Sequence, residues 1–205
     1  EEINIINKQL FYLQKTNKVF FTEISILSVK SFIEAEVGGT RDKSFLRINL
    51  DNIKRSFELK RPLIDKLNER IENIKKEILE YQNLGWTDDV VKLEAKLKVM
   101  EEESFGLSKY WAVADNGNTY YERLEWVISH EYAHGIQNTT AVLDSNTRYK
   151  IADYFSKIAS KKGGFSNYSE YSKTEWNEFW AESYALYKHG KLTDPKMIEL
   201  LKELE

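Results

Sequence analysis

Between residues 62 and 103 the apolar side chains recur at steps of three and four. Ile64, Leu67, Ile71, Ile74 and Ile78 come first; Val90, Leu93, Leu97 and Met100 follow the break at "NLGWT". Most of what lies between them is Lys or Glu. That spacing lays one apolar stripe along one side of a helix. Two such helices joined by a tight turn close their stripes on each other, so the pattern predicts an antiparallel helical hairpin over 62–103. Pro62 suits the first turn of its first helix, where a missing N–H costs nothing. Such a hairpin is either an insertion packed against itself or an arm offered to a protein partner. Either way, the remaining residues must build the core.

The chain has 205 residues, enough for one domain with an appendage. Hydrophobic residues make up 41% and charged residues 31%, which supports a packed core and argues against disorder. The formal net charge is −3 with both signs interspersed, which gives no nucleic-acid footprint. Cysteine is absent, so disulfides and thiolate-bound metals are excluded. No apolar run reaches the length of a membrane span. No signal peptide is visible, and the opening at Glu1 fits a mature form or an excised fragment alike.

Outside the hairpin the pattern changes along the chain. Residues 2–14 carry Ile and Leu at helical steps. Residues 17–50 read as β structure: "FIEAEV" and "FLRINL" alternate apolar and polar residues, and Gly38–Gly39 with "TRDK" suggest the turn between them. Helices are expected near 120–137, 147–160 and 175–188, and again from Asp194–Pro195, a cap followed by proline at the first position. A Gly-, Ser- and Tyr-rich loop covers 161–173. These elements make an α+β domain.

The stretch "WVISHEYAHGIQ" carries the chemistry. Thr119 and Glu122 form a capping box, which starts a helix near Tyr120 and puts His130 and His134 one turn apart in its middle. Side chains at i and i+4 share a face, so two imidazoles there can grip one zinc ion. Glu131, offset by one residue, can reach a water at that metal. Two ligands and a general base on one turn are what H-E-x-x-H supplies to metal-assisted hydrolysis. The competing reading is two ordinary helix histidines. Gly135 beside the motif lets another segment approach closely.

A catalytic zinc wants a third protein ligand. His189 beside Gly190 is one candidate; "EWNEFWAESYALY" at 175–187 holds others. Glu178 and Glu182 are four apart on one face of an otherwise apolar helix, where carboxylates are costly unless paired or metal-bound. Glu178 as the third ligand, and Glu182 bonded to the far nitrogen of His130, would meet both needs.

"HEYAH", followed 44 positions later (178 minus 134) by "EFWAES" with "NYSEYSKTEWN" leading in, resembles the protease domain of anthrax lethal factor and the bacterial Pro-Pro endopeptidases. The resemblance covers roughly 120–190, with 17–50 as the expected strand-rich half; the hairpin departs from the compact members. It implies one zincin-like metalloprotease domain over 1–205: a small mixed sheet on an active-site helix, a catalytic half at 120–190 and the hairpin inserted. It implies a zinc endopeptidase with His130, His134 and Glu178 on one Zn2+ and Glu131 as general base. Tyr171, seven positions before Glu178, would donate its phenol to the oxyanion. Tyr168 in the same loop is the alternative. The substrate would be a peptide added as a strand to a free edge of 45–50. A secreted bacterial protein is the expected setting, though similar domains also look to occur in phage head proteins and polymorphic toxins. Two rival readings remain: a protease fold kept as a binding module working through the hairpin, and a zinc amidase of another class.

Overall fold

The computed structural model describes residues 1–17, 19–27, 34–40, 43–109, 118–138, 143–161, 164–165, 168–169 and 171–203. In chain order these form α1 (Glu2–Asn17), β1 (Glu23–Leu27), β2 (Ala35–Thr40), β3 (Lys43–Asn49), α2 (Leu50–Leu84), α3 (Thr87–Lys109), α4 (Tyr120–Asn138), α5 (Ser145–Ala159), a 3-10 turn (Tyr171–Lys173), α6 (Trp176–Lys188) and α7 (Pro195–Lys202). Helices with a small mixed sheet make the chain α+β, as expected. The expected turn residues Arg41 and Asp42, and most of the loop at 114–119, lie outside the described residues.

The sheet runs β1-β3-β2, with β1 parallel and β2 antiparallel to β3. The alternation read from "FLRINL" holds: Leu46 and Ile48 are fully buried, while Arg47 turns outward and pairs with Glu36 at 2.9 Å. Two expectations need correction. Gly38 and Gly39 lie within β2 rather than in the turn. Gly38 is there because the ring of its cross-strand partner Phe45 lies over it, and a Cβ would stand 2.5 Å from the ring. The strand at 45–50 has no free edge, because β3 is central and both its sides are paired. The outer strands are β1 and β2, and β2 packs on α4.

The hairpin forms, with α2 beginning 12 residues before Pro62 (62 minus 50). Asn49 caps the helix by accepting from the Asn52 N–H at 3.3 Å, and Ile53 is buried in the main core, so tertiary packing extends the helix backwards. Pro62 is therefore inside α2 instead of in its first turn. Pro62 and Glu58 are both exposed, so the carbonyl that loses its helical partner can be solvated. Gly85 in the left-handed conformation, φ 73°, closes α2. Leu67, Ile71, Ile74 and Ile78 then meet Val90 and Met100 in an apolar cluster of their own, apart from the main core.

The main core lies around α4 and α6. Leu124, Ile128, Tyr132, Ala133 and Ile136 of α4 meet Phe179, Trp180, Ala181, Tyr184 and Ala185 of α6. Trp180 donates its indole N–H to the Ala133 carbonyl at 2.9 Å, which ties the two helices together. Ile6, Leu10 and Leu13 of α1 cover the other side of α4. Among the described residues, no helix is long and apolar enough to cross a membrane.

Candidate metal centre

The start of α4 is set locally. Thr119 Oγ1 accepts from the Glu122 N–H at 3.1 Å, and Glu122 Oε2 accepts from the Asn118 N–H at 2.6 Å. From that start, burial of α4 against α1 and α6 turns His130 and His134 toward α6. Gly135 faces the other way, and the Phe21 ring fills the space a side chain would take: a Cβ would stand 2.9 Å from it.

Glu178 lies in the first turn of α6 and reaches both imidazoles. Its Oε2 stands 3.3 Å from Nε2 of His130 and 3.5 Å from Nε2 of His134; the two Nε2 atoms are 3.2 Å apart. Zinc bonds of about 2.0–2.1 Å in tetrahedral geometry place neighbouring ligand atoms about 3.3–3.4 Å apart. The three observed separations straddle that value. Oε2 of Glu178 is buried and has no aligned hydrogen-bond donor among the described residues. The donor set therefore fits one cation: His130, His134 and Glu178 form a group that could bind a metal ion.

The outer nitrogens orient the inner ones. Nδ1 of His130 is 2.9 Å from Oε1 of the fully buried Glu182, as the sequence reading expected. Nδ1 of His134 is 3.3 Å from the side-chain oxygen of Gln137, which can only accept. With a cation at the site, both rings would carry a proton outward and turn an Nε2 lone pair toward it. Ser169 donates to Oε2 of Glu182 at 2.8 Å, and neither Ser169 nor Gln137 was singled out from the sequence.

The electrostatics follow from this crowding. Burial disfavours charge on His130, but Glu178 and Glu182 outweigh it and raise the imidazole to about 10. Burial likewise works against the Glu178 carboxylate, yet His130 and His134 hold it well below the usual carboxylate range. The cluster therefore favours a positive charge among these atoms. Glu131 is pushed up, chiefly by burial, with the two imidazoles opposing and Glu178 and Glu36 adding to the rise. Burial and the neighbouring Glu178 raise Tyr171 and keep its phenol protonated.

The two loop tyrosines separate cleanly. Tyr168 is buried and donates to Oδ2 of Asp194 at 2.7 Å. Tyr171 is 38% exposed, with its ring centroid 6.0 Å from that of His130. His189, the other candidate ligand, is not in the cluster: it stacks on Trp126 at 4.0 Å, with Nε2 3.2 Å from Ser129 Oγ. Comparison with family models, curated proteins and solved structures finds no match to this chain. The resemblance to lethal factor and the Pro-Pro endopeptidases therefore rests on the motif residues themselves.

Proposed function

We propose that the chain is a zinc-dependent endopeptidase with a zincin-like architecture. The observation that carries this is the convergence of two Nε2 atoms and one carboxylate oxygen at tetrahedral-edge separations. His130, His134 and Glu178 would hold the ion. When bound, zinc supplies Lewis acidity to the scissile carbonyl and acidifies the attacking water.

The remaining chemistry belongs to the chain. Glu131 shares a helical turn with the two imidazoles, and its raised pKa suits a group that takes a proton from water and passes it to the leaving amine. Tyr171 stays protonated and can donate to the oxyanion of the tetrahedral intermediate. Tyr168 is unsuited to that task, because its hydroxyl is committed to Asp194. An extended peptide would add to β2, which pairs on one side with β3 and packs on α4, the helix that carries both histidines. The charge of Glu36 on that strand adds to the rise at Glu131, which supports this choice of edge.

The test combines metal analysis with a peptide-library digest read by mass spectrometry. The expected result is about one zinc per chain, the single site this ligand set makes. Cleavage should be present in the wild type and abolished in Glu131→Gln, with zinc retained. Absence of zinc would remove the reading, and unchanged cleavage in Glu131→Gln would remove Glu131 as the base.

A second reading has its own observation. The hairpin turn presents Leu84 and Trp86, 60% and 50% exposed, beyond a seam that is already closed. That favours an additional protein-binding role for the arm. Replacing both residues by Ser would leave peptide cleavage intact while weakening any partner that docks there.

A further inference from the structure

Ser169 and Glu182 stand between the Tyr171 segment and the metal group, with hydrogen bonds on the loop side and an ion-pair contact on the His130 side. The Ser172 N–H donates to Ser169 Oγ at 3.1 Å, and Ser172 Oγ lies 2.8 Å from the same atom. Ser169 Oγ is 2.8 Å from Oε2 of Glu182, whose Oε1 is 2.9 Å from Nδ1 of His130. Ser172 and Glu182 are both fully buried. The proton positions follow from valence. A carboxylate only accepts, so the single Ser169 proton goes to Glu182. Ser172 Oγ must then donate to Ser169. With the Ser172 N–H, that oxygen gives one hydrogen bond and receives two, which is its full capacity.

We propose that Ser169 is a positioning residue that couples the Tyr171 segment to His130 through Glu182. The inference rests on reading His130, His134 and Glu178 as a metal site. Tyr171 lies between the two serines of the clasp, at the head of the 3-10 turn. One carboxylate serves both ends, with one oxygen on the histidine and the other on the loop. A rotation of Glu182 that follows His130 is therefore felt at Ser169. Metal loading, which fixes the His130 ring, tightens the loop, and an ordered loop strengthens metal binding by the same factor.

The test uses Ser169→Ala and Ser169→Thr in the full chain, with two readouts that do not depend on cleavage. Zinc affinity is measured by competition with a chromophoric chelator. Hydrogen exchange at the Ser172 amide is followed with and without zinc. In the wild type, zinc should slow that exchange. In Ser169→Ala, zinc should bind several-fold more weakly, up to about the tenfold that follows loss of a ligand's own outer partner, and should no longer slow the exchange. Ser169→Thr, which keeps the hydroxyl, should restore both. An Ala variant with wild-type zinc affinity and zinc-dependent protection would overturn the coupling. If the wild type binds no zinc, the metal reading fails, and the clasp is judged on the zinc-free chain. There, faster Ser172 exchange in both Ser169→Ala and Glu182→Ala supports it, and equal exchange in all three chains refutes it.

Discussion

Asp194 offers a quantitative test of how the segment that carries Tyr168 and Ser169 is anchored. Its Oδ1 caps α7, accepting from the backbone N–H groups of Lys196 at 2.9 Å and Met197 at 3.1 Å. Its Oδ2 accepts from the phenols of Tyr154 at 2.6 Å and Tyr168 at 2.7 Å. One carboxylate thus joins α5, α7 and the residue that precedes Ser169. Asp194→Ala removes a helix cap worth about 1 kcal/mol. It also removes the charged acceptor of the buried Tyr168 hydroxyl, worth about 1.5–3 kcal/mol. Tyr154 is only partly buried and can turn to water, so its loss adds less. The sum is about 3–5 kcal/mol, to be read as a fall in urea midpoint at constant slope. Asp194→Asn should fall between the two, because Asn still caps but offers the phenols no charge. The pH dependence has a definite sign. Burial disfavours the Asp194 carboxylate, but the two phenols and the two amides outweigh it and lower its pKa in the folded chain. The stabilisation it provides is complete above the unfolded value of about 3.9 and disappears as pH falls through the lower folded value. A loss in Asp194→Ala below about 1 kcal/mol, the worth of the cap alone, would show that the tyrosine hydroxyls gain nothing from the carboxylate.

Tyr171→Phe should bind zinc as the wild type does while cleaving peptides about 10²–10³-fold more slowly, the cost of one oxyanion donor; full activity would place that role elsewhere. With the His130 imidazole raised to about 10, zinc must displace a proton at neutral pH. Affinity should therefore climb about tenfold per pH unit between roughly 6 and 9, and calorimetry in buffers of different ionisation enthalpy should show about one proton released. A flat profile would mean His130 is already neutral before binding. Gly164→Ala would drive a Cβ into the Ile158 carbonyl oxygen, a backbone clash that only a shift of the turn can relieve. A loss of roughly 1–3 kcal/mol in thermal or urea unfolding is expected, and a neutral result would mean the turn relaxes freely.

Short-range order was legible in the residues. The box at Thr119 and Glu122 starts α4 because its hydrogen bonds close within four residues, and Asp194 with Pro195 starts α7 for the same reason. The seam of α2 and α3 follows from periodicity, since the two stripes pack on each other. The pairing of Glu182 with His130 was expected on cost: a carboxylate on so apolar a helix needs a partner, and the imidazole is the available cation. Distant contacts settled the rest. Alternation marks which face of β3 is buried, but not that β1 and β2 flank it on both sides. Pro62 looked like a helix start because the tertiary burial of Ile53, which carries α2 back to Leu50, leaves no mark in the local pattern. Tyr168 and Tyr171 are alike in composition and three residues apart; one is bound to Asp194, 26 positions away (194 minus 168), and the other is turned toward His130. Local hydrogen bonds and periodicity are written into neighbouring residues. A buried polar partner is chosen only when the packed helices bring remote segments together.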